Sequence, residues 1–214
     1  MRTFAFIHGA GSSAWDWHLV APRLRERGHD VVAVDLPCDD PSAGLAEYAD
    51  AVVAAIGDRT DLVVVAHSLG GFTAPLVCAR VPADQLVFVA AMIPAPGESA
   101  NDWWASSGHR EAFAGHDYDT RELFFHDVPD ELATEALARS RDETSQAISE
   151  PWPLDGWPNV PTRYVLFRDD RVFPADFARR HARERLGVVA EEIGGGHCAY
   201  LSHPAELAER LLAV

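Results

Sequence analysis

Val63-Val64-Val65-Ala66-His67-Ser68-Leu69-Gly70-Gly71 is a run of β-branched residues that halts at a serine and opens into a helical pattern, Leu69 to Val81. An apolar run without polar alternation reads as a strand covered on both faces, which is the condition of strands in a parallel sheet. A serine at such a strand-to-helix corner sits in a strained backbone conformation that draws together the positions two before and two after it, so both must be small. Gly70 meets that demand on one side, and Ala66 stands where glycine is usual on the other, one methyl larger. The helix beyond the corner turns peptide N–H groups and a partial positive charge toward any developing oxyanion. Serine is also a favoured helix N-cap, but a cap alone does not need the flanking small residues.

Working outward, the same kind of apolar run recurs at Phe4-Ala5-Phe6-Ile7, Val31-Val32-Ala33-Val34, Leu86-Val87-Phe88-Val89, Tyr164-Val165-Leu166-Phe167 and Val188-Val189 to Ile193. Helical patterns lie between them: His18 to Arg27 before Gly28, Leu45 to Ile56 before Gly57, and Leu69 to Val81 before Pro82. Gly and Pro just past a helical stretch are stop signals. Pro174 with Asp176 opens another helix that exits at Gly187, and Pro204 with Glu206 opens the last. This alternation predicts an α/β fold, a mostly parallel sheet flanked by helices.

Residues 94–161 break the rhythm, with no comparable strand-like run and four of the six tryptophans, Trp103, Trp104, Trp152 and Trp157. The stretch reads as a helical cap inserted after the fourth strand, leaving 1–93 and 162–214 as the core. An aromatic-rich insertion there suits a lid over a site, although the rings could equally fill a small second core.

A serine hydroxyl is a weak nucleophile until a base takes its proton, and the base needs an orienting carboxylate. Where an elbow carries the nucleophile, these partners follow in the order Ser, Asp or Glu, His. His197 is the candidate base, because Gly194-Gly195-Gly196 ahead of it permits the backbone path that swings an imidazole over the sheet. His109, His116 and His126 read as solvated or lid residues. For the acid, Asp169 and Asp170 both follow the fifth strand, and Glu98 is a more distant option. Asp170, four residues before the helix-opening Pro174, is the choice, with Asp169 left to solvent or to Arg168 and Arg171. His8-Gly9-Ala10-Gly11 after the first strand is a small-residue loop whose N–H groups can turn inward. The peptide N–H groups of Ala10 and Leu69 are the natural oxyanion pair, and His8 reads as structural.

Composition removes whole classes of chemistry. Eighteen basic against 33 acidic residues leave a net charge of −15, and every basic residue is arginine. Without lysine there is no Schiff base, no P-loop and no Ser-Lys dyad. The acidic balance argues against nucleic-acid and anionic-membrane partners and for a neutral or cationic small molecule. Cys38, Cys78 and Cys198 have neither disulfide nor zinc spacing. A cytoplasmic setting is expected, since the opening apolar run is too short for a signal peptide and Leu86 to Ile93 is too short to span a bilayer.

His8-Gly9-Ala10-Gly11, Trp15-Asp16-Trp17, Ala66-His67-Ser68-Leu69-Gly70-Gly71, Asp170 and His197 together resemble the α/β-hydrolase superfamily over essentially the whole chain. Within it, His8-Gly9-Ala10 with Trp15, and the segment Tyr164 to Phe173, are similar to the branch of plant methylesterases, hydroxynitrile lyases and bacterial carboxylesterases. The resemblance implies a serine esterase with the triad Ser68, Asp170 and His197, acting on an ester of a small, largely apolar molecule without metal or organic cofactor. Acyl transfer or carbon–carbon cleavage by the same triad, and a non-catalytic receptor on the same fold, are the alternatives. Hydroxynitrile lyases of this branch carry a lysine after the catalytic histidine and a threonine beside the first-strand histidine. Cys198 and Gly9 stand there instead, which argues against cyanohydrin cleavage. The chain also looks shorter than many relatives, implying a trimmed cap. The oligomeric state, a homodimer included, is not readable.

Overall fold

The computed structural model describes residues 1–213. In chain order the elements are β1 (Thr3–Ile7), α1 (Ala21–Glu26), β2 (Asp30–Ala33), α2 (Leu45–Ile56), β3 (Leu62–Ser68), α3 (Gly70–Cys78), β4 (Gln85–Ala91), α4 (Ala100–Ser106), α5 (His109–Phe113), α6 (Thr120–Phe124), α7 (Asp130–Ala138), β5 (Thr162–Phe167), α8 (Ala175–Leu186), β6 (Glu191–Ile193), α9 (Ala199–Ser202) and α10 (Pro204–Leu212). The six strands form one sheet in the order β2-β1-β3-β4-β5-β6, and every pair is parallel. Because βαβ crossovers are right-handed, the leftward step from β1 to β2 puts α1 on one face, and the rightward steps put α2, α3 and α8 on the other. Packing agrees: α2 lies against α3, and α1 against α10.

The core follows from the apolar runs. Val63, Val64, Val65, Ala66, Leu86, Val87, Phe88 and Val89 of the central strands are completely buried, as a sheet sandwiched between helices requires. The strand order reverses between β1 and β3, so their carboxyl ends diverge into the crevice where open α/β sheets bind ligands. β1 ends there in His8-Gly9-Ala10-Gly11, and β3 ends in Ser68.

Several boundaries differ from the sequence reading. Val188 and Val189 lie ahead of β6, and Val189 is 85% exposed: their β-branching raised strand propensity, but they have no sheet neighbour. The helix expected over His18 to Arg27 is shorter, α1 beginning only at Ala21 beside Pro22, and a separate tight turn, Ala14–Trp17, precedes it. α3 stops at Cys78. The link from β4 to β5 contains α4 to α7 and, among the described residues, no strand.

Of the four tryptophans in that link, Trp103 and Trp152 are buried packing residues, their indole N–H groups donating to Ile93 O (3.1 Å) and Phe72 O (3.0 Å). Trp157 packs tilted against Trp152, 5.0 Å between ring centres. Trp104 reaches the cavity described below.

Candidate active site

Ser68 closes β3 with φ +50°, a conformation L-residues rarely adopt, and the β3–β4 register shifts between His67 and Ser68. The strain is held by close approach on both sides. A Cβ on Gly70 would lie 2.7 Å from His8 O and 2.9 Å from Ile7 O; one on Gly71 would collide with Met92 O. Ala66 accommodates its methyl with no exposure. The elbow therefore lifts the Ser68 hydroxyl into a cavity of about 510 Å³.

Two later loops bring partners to it. β5 ends in the segment carrying Asp170, whose Oδ1 accepts the N–H groups of Val172 (2.7 Å) and Phe173 (3.0 Å). Its Oδ2 lies 2.9 Å from His197 Nδ1, and His197 Nε2 lies 3.2 Å from Ser68 Oγ. An ionised carboxylate can only accept, so Nδ1 carries the imidazole proton and Nε2 presents a lone pair to the serine hydroxyl. The His197 and Asp170 side chains are both buried. Phe173 and Phe124 stand edge-on to the His197 ring at 5.1 and 5.5 Å.

Ala10 and Leu69 line the same cavity as Ser68. Among the described residues, neither backbone N–H has a protein acceptor. Gly9 keeps the approach open, since a Cβ there would come 2.9 Å from Ser68 Cβ. The His8 ring fixes that loop: Nδ1–H donates to Gly9 O (2.8 Å) and Nε2 accepts the Leu36 N–H (3.0 Å). Burial lowers the His8 pKa to about 4, so the ring is neutral and holds this tautomer.

Asp169 is exposed, as expected, but its carboxylate is not paired with the neighbouring arginines. Its Oδ2 accepts the Gly195 N–H (3.2 Å) and its own N–H donates to Gly195 O (3.0 Å), while Arg168 pairs with Glu192 and Arg171 donates to Glu122 O. Glu98 is far from the imidazole in role, paired with Arg185. His109, expected to be solvated or a lid residue, lies in the β4–β5 link and is buried, with Nε2 2.6 Å from Val172 O.

Three further polar residues stand at or beside the site. His67 Nε2–H donates to the His197 carbonyl (3.0 Å), while its Nδ1 is buried with no partner among the described residues. Asp16 lines the cavity, accepts the Ser12 hydroxyl (2.5 Å), and has its pKa raised to about 6, chiefly by burial. Asp127 contacts the loop before His197. Asp16 and His67 lie within the Trp15-Asp16-Trp17 and Ala66-to-Gly71 motifs without a role being read for either, whereas nothing local marks Asp127. The opposite wall of the cavity comes from the β4–β5 link, including Trp104, Phe124, Phe125, Leu137 and Ile148, and apolar surface predominates.

Comparison with known proteins agrees with this architecture. The Probable esterase PIR7A of Oryza sativa subsp. japonica is 29% identical over 258 residues, covering 100% of this chain and 96% of the relative. This chain makes that span with 214 residues, so the difference in length is taken up internally. Polyneuridine aldehyde esterase of Rauvolfia serpentina is 24% identical over 252 residues, with 100% and 95% of the two chains covered. The solved structure of an extracellular alpha/beta-hydrolase from a Paenibacillus species matches at TM-score 0.82 and 23% identity, covering 99% of this chain and 98% of that one. These similarities follow the branch to which the sequence motifs point. The sequence profile of the alpha/beta hydrolase family matches residues 4–210, from the first strand into the last helix, and the chain belongs to that family.

Proposed function

We propose that this protein is a serine hydrolase of the carboxylesterase type, cleaving an ester of a small, largely apolar molecule through an acyl-enzyme. The observation that carries the reading is the unbroken bonding path Ser68 Oγ, His197 Nε2, His197 Nδ1, Asp170 Oδ2, with links of 3.2 and 2.9 Å. Ser68 attacks the ester carbonyl as His197 takes its proton, and Asp170 holds the imidazole in the required tautomer and balances the imidazolium. The N–H groups of Ala10 and Leu69 stabilise the oxyanion where its charge develops. His197 then protonates the departing alcohol, and a water activated by the same ring hydrolyses the acyl-serine. The mostly apolar cavity favours a small hydrophobic acyl or alcohol group, and residues 94–161 serve as the cap above it.

The esterase names of the rice and Rauvolfia relatives support the same reaction class. Steady turnover of p-nitrophenyl butyrate by the native protein, reduced about 10⁶-fold in Ser68→Ala, is the expected result. A single slow acylation without turnover would make the protein a receptor on this fold, and a Ser68→Ala variant within tenfold of native would remove Ser68 as nucleophile.

A further inference from the structure

We propose that His126 and Asp127, in the link between β4 and β5, form a strap that positions the two loops supplying Asp170 and His197. The inference rests on the serine-hydrolase reading above. The strap follows α6 and touches both loops. His126 Nε2–H donates to Asp169 O (2.9 Å), on the peptide unit that leads into Asp170. Asp127 Oδ2 accepts the N–H of Gly196 (2.8 Å), the residue immediately before His197, and the hydroxyl of Ser202 (2.6 Å). Phe124, at the end of α6, meets the His197 ring itself.

The need for such a strap follows from the loop it holds. Gly194, Gly195 and Gly196 have no side chains with which to anchor themselves, and Gly195 sits at φ +101°. Freedom that lets the loop reach over the sheet also lets it wander. Three acceptors from outside restrain successive N–H groups: Glu206 takes Gly194, Asp169 takes Gly195 and Asp127 takes Gly196, the last being the one next to His197. The fit is close: a Cβ on Gly196 would lie 2.6 Å from His126 Nε2 and 2.7 Å from Asp127 Oδ1. Asp127 Oδ1 is itself buried without a partner among the described residues, so the side chain is placed for what Oδ2 does. Because the link also walls the cavity, the strap makes alignment of the imidazole depend on the cap being seated.

Asp127 and His126 are thus positioning residues, and their loss should affect the chemical step more than substrate binding. Asp127→Ala is expected to lower kcat for p-nitrophenyl butyrate about tenfold to a hundredfold, since misplacement of a catalytic group by about 1 Å costs on that order. KM should stay within about threefold, because substrate contacts are intact. Asp127→Asn can set its amide oxygen where Oδ2 sits and accept the same two donors, and its NH₂ replaces an oxygen that has no partner to lose. It should return kcat to within about threefold of native. A readout independent of turnover is the low-field proton resonance of the His197–Asp170 hydrogen bond, expected in the native protein and Asp127→Asn and lost in Asp127→Ala. If Asp127→Ala does not fold, His126→Ala decides, with an expected fall of at least about threefold in kcat at unchanged KM.

The strap is overturned by an alanine variant, Asp127→Ala or in its stead His126→Ala, whose kcat and low-field proton match native. It is equally overturned if Asp127→Asn is as slow as Asp127→Ala. Failure of the esterase reading is separate: native protein would not turn over the ester at all, whereas the resonance would still report on the strap.

Discussion

Acidification should unfold this protein through histidines held neutral in its interior. Burial lowers the pKa of His8 from 6.5 to about 4 and of His181 from 6.5 to about 3, and holds His67 well below 6.5. Below pH 6.5 the unfolded chain protonates all three, while the folded protein keeps them neutral, so unfolding takes up three protons and stability falls as pH falls. Asp16 works the other way: burial raises its pKa from 3.8 to about 6, so below pH 6 the folded protein binds a proton there that the unfolded chain does not. The net uptake on unfolding is therefore about one proton at pH 6.5, where the unfolded histidines are half protonated, and about two by pH 5, and His109, whose pKa burial also lowers, adds in the same direction. At about 1.4 kcal/mol per proton per pH unit, going from pH 6.5 to 5 removes roughly 4 kcal/mol, a large share of the stability of many domains. The contribution is complete above pH 6.5. Urea unfolding followed by tryptophan fluorescence at pH 7.5, 6.5, 5.8 and 5.0 measures it. His181→Gln, whose carbonyl can still accept the Trp103 indole N–H that His181 Nε2 accepts at 3.1 Å, should flatten the slope by about 1.4 kcal/mol per pH unit. Unfolding free energies equal within about 1 kcal/mol at pH 6.5 and 5.0 would refute the reasoning.

Asp170→Asn should cost about 10⁴-fold in kcat by removing the tautomer-fixing acceptor. Asp169→Asn, which only loosens the grip on Gly195, should cost no more than about tenfold; equal losses in the two would reverse their roles. Gly9→Ala puts a methyl 2.9 Å from Ser68 Cβ and 3.5 Å from its Oγ. Its kcat/KM should fall by about a hundredfold with the urea midpoint little changed, and a native rate would show that the loop has room to give. Gly71→Ala drives a methyl into the Met92 carbonyl at the end of β4. It should destabilise the fold by about 3 kcal/mol or more, read as a lower urea midpoint.

The sheet was legible because its strands are short apolar runs ended by glycine, proline or a special turn, and the bounds of α2, Leu45–Ile56, match the reading of a helix stopped by Gly57. Ser68, His197 and Asp170 were legible for a related reason: each sits where local backbone demands leave a mark, at small residues around an elbow, at a triple glycine and ahead of a helix-opening proline. The contacts that hold these groups left no such mark. Asp127 meets Gly196 across 69 positions and His67 meets His197 across 130, so only the fold brings them together. Asp169 and Asp170 are chemically identical side chains in one turn, and the direction each faces is set by the N–H groups of Val172, Phe173 and Gly195 around them. The four tryptophans of the link divided between packing and cavity for the same reason: ring composition does not say which neighbour each ring faces.

The most direct test of the central claim, that Ser68 is a nucleophile activated by His197, is covalent labelling with a fluorophosphonate followed by peptide mass mapping. The account predicts rapid modification on the peptide containing Ser68, abolished in Ser68→Ala and strongly slowed in His197→Ala. Modification at another residue, or a labelling rate at Ser68 that His197→Ala leaves unchanged, would contradict it.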